Sequence, residues 1–256
     1  MAAASSAPAA SRKVLTVNTH KGFTALNRRF VLHELREAVR TVGADIVFLQ
    51  EVLGKHVAHQ MRFANWPDAP QYEFLAESIW PSYAYGCNAV YPHGHHGNAL
   101  LSKWPILRHQ NHDISASDPE KRGLLHCVLH APDSGVHLHA ICVHLALWDK
   151  HRRPQTALLC DLLATEVPSD APLIVAGDFN DWRLRAHAQL VREAKLREVF
   201  VEAFGEPART FPARWPLLRN DRIYVRNANA HAPMVLPRRP WTHLSDHTPL
   251  AAEIDL

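Results

Sequence analysis

The stretch PLIVAGDFND, residues 172–181, decides the fold. Leu173 to Ala176 form a short apolar run, and Gly177 then lets the backbone turn. A run of this kind ended by turn residues reads as a core strand reaching the surface. Asp178 and Asn180 follow where that strand opens into a loop. A carboxylate that only accepts, beside an amide that both donates and accepts, suits holding a water or a metal-bound phosphate. Taken alone, the same pair reads as an Asx-turn capping the next helix. The far end of the chain changes the balance. In HLSDHTPLAAEIDL, residues 243–256, Asp246 and His247 stand side by side just before another apolar strand.

Working outward, KVLTVN at 13–18 reads as a strand ending on Asn18. In residues 27–43, Leu32, Leu35, Val39 and Val42 share one helical face, and Gly43 suits the C′ position. DIVFLQ at 45–50 is a second apolar strand, followed by Glu51. Strand, helix, strand implies a parallel crossover, which places the C-terminal ends of both strands on one rim. Asn18 and Glu51 are therefore expected together. Helix is expected near 71–80, and short strands with a Gly-rich turn carrying His93, His95 and His96 across 83–102. Such a turn reads as a solvated loop, with transition-metal binding as the alternative. Segments 121–131 and 136–145 read as a hairpin around Asp133-Ser134-Gly135, with Arg122 at its start and His144 at its end. A helix over 151–166 buries Leu158, Leu159, Leu162 and Leu163, and 185–204 is helical with a break near Leu196-Arg197. Residues 209–220 read as an ordered loop, 221–225 as a strand starting on Asp221, and 229–236 as another strand. Alternating strands and helices give the α/β class.

Composition bounds the function. The 256 residues fit one large domain, read as a tail over 1–11 and a single domain over 12–256, and 47% hydrophobic residues suffice for a sizeable core. No apolar run approaches the ~20 residues of a membrane helix, and MAAASSAPAASRK lacks the charge order of a signal peptide. The expectation is a cytoplasmic monomer with no obligate protein partner. Cys87, Cys127, Cys142 and Cys160 have no CxxC spacing and read as reduced thiols. A net charge of +3 permits an anionic substrate without indicating one.

VNTH at 17–20, LQEV at 49–52, GNALLS at 97–102, KRG at 121–123, VHL at 143–145, GDFND at 177–181, DRIYV at 221–225 and SDHTPL at 245–250 occur in a telling order. It resembles that of the endonuclease/exonuclease/phosphatase superfamily, and in particular a bacterial branch whose genes lie beside a cardiolipin synthase. The resemblance implies a four-layer α/β sandwich, two mixed β-sheets packed face to face with helices outside. It also implies a divalent-metal phosphohydrolase, and the expectation drawn from it is a Mg²⁺- or Mn²⁺-dependent phosphodiesterase or nuclease. By resemblance, Glu51, Asn18 and Asp246 hold the metal. Mg²⁺ keeps several waters and takes few carboxylates, so this sparse set is chemically sensible. Asp178 and Asn180 match the pair that orients water and phosphate, and His247 the general base or phosphate ligand, steadied by Asp221. His144 and Arg122 match groups that stabilise the pentacovalent phosphate, with Asn180 also touching it.

Two departures stand out: Val143 replaces a Thr common before the family histidine, and the Tyr common after the strand-opening aspartate is displaced to Tyr224. Neither removes a catalytic group. The expected substrate is a nucleic acid, DNA or RNA, bound by rim arginines such as Arg183, Arg185, Arg214 and Arg219. The alternatives are a membrane-lipid headgroup or small phosphoester, met by an apolar loop at Trp215-Pro216-Leu217-Leu218, and a silent binding protein on the same fold.

Overall fold

The protein is described by a computed structural model covering residues 11–115 and 120–256. The expected tail over 1–11 lies outside the described residues apart from Ser11, and the first strand, β1 (Arg12–Asn18), begins directly after it.

Among the described residues, twelve strands form two six-stranded sheets. Sheet I is built from β1, β2 (Ile46–His56), β3 (Ser82–Tyr91), β4 (Gly94–Ser102), β11 (Asn229–Val235) and β12 (Leu250–Asp255), in the order β11-β12-β1-β2-β4-β3. Sheet II contains β5 (Ile106–Asp113), β6 (Gly123–His130), β7 (His137–His144), β8 (Leu173–Asp178), β9 (Arg197–Glu198) and β10 (Asp221–Arg226), in the order β5-β6-β7-β8-β10-β9. Each sheet is antiparallel except at its central pair, β1–β2 in one and β7–β8 in the other.

Strand alternation explains the layers. Val14, Ile46, Phe48 and Leu100 of sheet I face Leu125, Ala140, Cys142, Ile174 and Ile223 of sheet II in one dry core. The opposite residues of β1 and β2, such as Leu15 and Val47, lie under α1 (Leu32–Val42) and α3 (Gln71–Ala76). On the far side, Ile141, Val143, Leu173 and Val175 lie under α4 (Asp149–Glu166) and α5 (Arg185–Glu193). The four-layer sandwich expected from the resemblance is therefore present. α1 buries Leu32, Leu35 and Val39 and ends at Gly43 in the left-handed region. Truncating Leu35 to Ala would cost about 2–5 kcal/mol.

Several boundaries differ from expectation. The helix expected over 71–80 stops at Ala76. In α4 Leu158 is exposed, because the buried stripe runs through Leu159, Leu162 and Leu163. The break in 185–204 separates α5 from α6 (Val199–Phe204) and contains β9. Strand β5 was not legible in ILRHQNHD because an edge strand with polar residues on both faces has no alternation to read. The three histidines near the Gly-rich turn do not form one loop cluster. Only His93 is in the turn, while His95 and His96 belong to β4. Two further short helices are α2 (Val57–Arg62) and α7 (Arg238–Trp241).

Candidate active site

Both parallel pairs end on one rim, and the site is assembled there. In sheet I, Asn18 is registered with Gln50. The β2–β4 ladder then shifts register between Leu49 and Val52, and Glu51 takes a left-handed φ of 56°. Such bulges re-aim side chains next to functional sites. Here Asn18 Nδ2 donates to Glu51 Oε1 at 3.3 Å. In sheet II, His144 is registered with Asp178 and Asp178 with Asp221, so three polar side chains form one row across three strands. Gly177 has φ 145°, and a Cβ there would stand 2.0 Å from Val143 O, so only glycine lets β8 lie this close to β7.

Asp178 is the centre of the arrangement and is 2% exposed. Its Oδ2 accepts from Asn18 Nδ2 at 3.3 Å and lies 3.6 Å from His144 Nε2 and 3.8 Å from His247 Nε2. Its Oδ1 accepts from the Asn180 backbone N–H at 2.9 Å. The Asx-turn expected here is present, but it does not cap the next helix, where Asp181 accepts from the Arg185 and His187 backbone N–H groups, and the other oxygen of Asp178 faces the site. Asn180 is fixed by donating Nδ2 to Leu145 O at 3.0 Å and by accepting from Asn220 Nδ2 at 3.3 Å. His247 pairs through Nδ1 with Asp221 Oδ2 at 2.8 Å. Arg122 Nη1 lies 3.0 Å from both ring nitrogens of His144, and its Nη2 binds Glu120 at 2.6 Å.

The electrostatics divide the roles. Burial pushes the Glu51 pKa up, but Lys21, His20, His247 and the Asn18 hydrogen bond together hold it below the usual carboxylate value. Those neighbours favour the ionised form of Glu51. Burial, aided by the neighbouring Asp221 charge, raises Asp178 despite the opposing influence of His247. Burial works against a charged His247, yet Asp221 and Asp178 outweigh it and raise its pKa. For His144, burial comes first, followed by Arg122 and His247, and all hold it well below the usual value. The surroundings thus favour a protonated His247 and a neutral His144, and raise the proton affinity of Asp178.

The donors suit a hard divalent cation. Glu51 and Asp246 are carboxylates whose side chains are 20% and 24% exposed, so waters can complete a coordination shell. Each has a cationic or protonatable neighbour: Lys21 Nζ is 3.9 Å from Glu51 and His20 Nε2 is 3.7 Å from Asp246. Ligand atoms of Asp178, Asp221 and His247 also lie within 4.8 Å of one another.

The structure brings all nine sequence-derived site residues to this rim region. It adds residues that sequence reading did not single out. Ser245 donates Oγ to Asn18 O at 2.7 Å and accepts from the His247 backbone N–H at 3.1 Å, which ties the last loop to β1. Asn98 Nδ2 donates to Gly123 O at 2.9 Å and Cys142 O at 3.3 Å, joining the sheets at the rim. Both stood within quoted motifs, which was the available signal. Lys21 gave none, because its approach to Glu51 depends on a turn with left-handed His20 and Lys21. Among the rim arginines, Arg185 binds Asp149 at 2.6 Å and Arg219 binds Glu206. Trp215 and Leu217 are exposed, as is Trp148 in the loop after β7.

Comparison with known proteins follows the same lines. The profile of the Endonuclease/Exonuclease/phosphatase family matches residues 15–247. The chain belongs to that family. It is 57% identical over 246 residues to "Uncharacterized protein YbhP" of Escherichia coli strain K12, covering 96% of this chain and 97% of that one. An endonuclease/exonuclease/phosphatase structure from Beutenbergia cavernae superposes with a TM-score of 0.75 at 18% identity, over 96% of this chain and 72% of that one. The mannosyl-6-phosphatase Bt3783 of Bacteroides thetaiotaomicron gives 0.74 at 17% identity, over 96% and 100%. These two likenesses concern the fold alone. Family enzymes are generally hydrolytic on phosphoester bonds and typically use divalent metals. Among the described residues, no helix is long and apolar enough to cross a membrane.

Proposed function

We propose that this family member is a divalent-metal-dependent phosphodiester hydrolase, acting on nucleic acid by in-line attack of water on phosphorus. The observation that carries the reading is the buried Asp178 carboxylate, held between Asn18, His144 and the Asp221–His247 pair. A Mg²⁺ or Mn²⁺ ion held by Glu51, Asn18 and Asp246 would neutralise phosphoryl charge and ease departure of the leaving oxygen. Asp178, whose proton affinity is raised by burial, accepts the proton of the attacking water. Asn180 orients that water or a phosphoryl oxygen, with its amide fixed by Leu145 and Asn220. The His247 imidazolium, neutral His144 and Arg122 donate to the phosphoryl oxygens as negative charge develops on them. Asp221 keeps His247 in one orientation and protonated.

A second reading, a lipid-headgroup or small-molecule phosphoesterase, is favoured by exposed Trp148, Trp215 and Leu217 on the rim loops. The engagement of Arg185 and Arg219 with carboxylates also leaves fewer cations for a nucleic-acid backbone. A silent binding protein would be expected to have lost a metal or base residue, and this chain retains the set.

The test is a panel of single- and double-stranded DNA, abasic DNA, RNA, a chromogenic phosphodiester, phospholipid vesicles and sugar phosphates, with Mg²⁺ or Mn²⁺ and Glu51→Ala as control. Cleavage of a nucleic acid supports the first reading. Cleavage of lipid or monoesters alone transfers the function to the second. No hydrolysis of any member refutes both.

A further inference from the structure

The outer face of sheet II carries a second group of ligand side chains, away from the row that forms the catalytic rim. β5 and β6 pair with Gln110 opposite His126 and His112 opposite Leu124, so His112 and His126 are diagonal neighbours on one face. β6 and β7 pair with His126 opposite Ile141 and Val128 opposite His139, so His126 and His139 form the next diagonal. Three histidines thus cross three strands in a slanted line. Ile141 of this face packs in the core beneath α4, and the last residue of α4, Glu166, stands over the line.

The contacts are unusual for a set of hydrogen bonds. Glu166 Oε2 lies 3.5 Å from His112 Nε2 and 3.7 Å from His126 Nδ1. Both separations are at or beyond the limit for a nitrogen-to-oxygen hydrogen bond. His112 Nε2 is shielded from solvent yet has no hydrogen-bond partner among the described residues. Two imidazole nitrogens and a carboxylate oxygen therefore converge, all within 4.8 Å of one another, without bonding directly. Ligand atoms 2.0–2.1 Å from one tetrahedral zinc lie roughly 3.3 Å apart, so small rotations would close these distances onto a shared ion.

The surroundings support that reading. His126 is 4% exposed and its other nitrogen, Nε2, meets His139 Nδ1 at 2.9 Å. Metal-ligating histidines commonly use the second ring nitrogen in this way, which fixes ring orientation. Glu166 is 39% exposed, so one side of the group remains open to water as a fourth ligand. Nitrogen donors with a single carboxylate select a borderline transition ion over Mg²⁺ or Ca²⁺.

We propose that His112, His126 and Glu166 form a second metal site, specific for Zn²⁺ or a similar transition ion and distinct from the catalytic rim, with His139 as the residue that orients His126. Its ion clamps the edge strand β5 and the end of α4 to β6. Magnesium at the catalytic carboxylates does not compete for it, because the donor chemistry differs.

The test titrates the full-length protein with Zn²⁺ by calorimetry, and with Co²⁺ by visible absorption, in a large excess of Mg²⁺. A single tight equivalent and a four-coordinate Co²⁺ spectrum are expected. His112→Ala and Glu166→Ala alter part-exposed side chains and should leave the fold intact by circular dichroism. Each should weaken Zn²⁺ at least ~10-fold, the low end of losses recorded even for residues one shell further out. Glu51→Gln should leave this binding unchanged. The buried His126 is followed without substitution, through the ¹⁵N signal of its Nδ1, which should shift on adding Zn²⁺. Absence of Zn²⁺ binding, equal affinity in His112→Ala and Glu166→Ala, loss of binding in Glu51→Gln, or an unmoved His126 signal would each overturn the proposal.

Discussion

Sheets I and II are built alike but bring different side chains to the same rim. Each has a parallel pair at the third and fourth positions, joined by a crossover over its outer face, α1 in one and α4 in the other. Each therefore delivers strand ends to the same rim. Sheet I brings oxygen donors that are partly open to water, Glu51 and Asp246, with Asn18 beside them. Sheet II brings buried groups, His144, Asp178 and Asp221, on three adjacent strands. His247 crosses between them: it precedes β12 of sheet I but bonds Asp221 of sheet II. In the proposed mechanism, the difference means that burial separates cation binding from proton chemistry. A hydrated cation needs access to water, whereas a raised carboxylate pKa needs desolvation.

Emptying the sheet I side should have the largest effect. Chelation with EDTA should abolish hydrolysis, and Mg²⁺ or Mn²⁺ should restore it. Glu51→Ala should need more metal for its remaining turnover. Undiminished activity after thorough chelation would remove the cation from that side of the comparison.

Disabling the sheet II side comes next. Asp178→Asn and His247→Ala should each lower kcat by ~10²–10⁴-fold, the range for groups that move or hold protons. Neither should restore activity at higher metal concentration, in contrast to Glu51→Ala. Metal-dependent rescue of Asp178→Asn would show that the two halves are not separable in this way. Asp221→Asn acts through His247, so the double variant should be little worse than His247→Ala alone. Additive losses would show that the pair does not function as one unit.

The same desolvation rule can be tested away from the chemistry. Glu198, on the edge strand β9, is 2% exposed and caps α6 by accepting from Val201 N at 2.7 Å. Burial raises its pKa to about 7, against the lowering influence of the Val201 N–H and Arg222. A carboxyl with a raised folded pKa favours the fold most when protonated. Its contribution is complete below about pH 4.5 and is lost as pH rises through about 7. Glu198→Gln keeps an acceptor for the cap but cannot ionise. Its stability advantage over the natural protein should grow between pH 4.5 and pH 8, by on the order of 3 kcal/mol at most. A difference that stays flat across denaturant titrations at these pH values would refute the burial argument.

The smallest expected effect concerns substrate. By the resemblance, the VHL form of the β7 end, with His144, differs from the Tyr-containing strand end of abasic-site endonucleases. Matched duplexes with and without one abasic site should be cut at similar rates. If DNA is the substrate, binding should weaken with salt at a slope near −0.9 per phosphate neutralised, and the engaged Arg185 and Arg219 should contribute little. A large abasic preference would refute this reading of the β7 end.

The sequence by itself determined the α/β class and the membership that orders eight motifs along the chain. It also placed Asn18 beside Glu51, because a strand, a helix and a strand leave few ways to connect in parallel. The row of His144, Asp178 and Asp221 was not readable in the same manner. It depends on register between strands far apart in the chain, and no local pattern encodes that. Tertiary structure alone decided that Glu51 sits on a bulge, that Lys21 reaches it, and that burial sends the proton affinities of Asp178 and His144 in opposite directions. It also decided that His112, His126 and Glu166 meet at all. β5 is a polar edge strand without alternation, so its existence, and the donor it brings to β6 and α4, follows only from pairing. Periodicity records which face of an element is dry, whereas a site is made by the distances between elements, and those are set by packing.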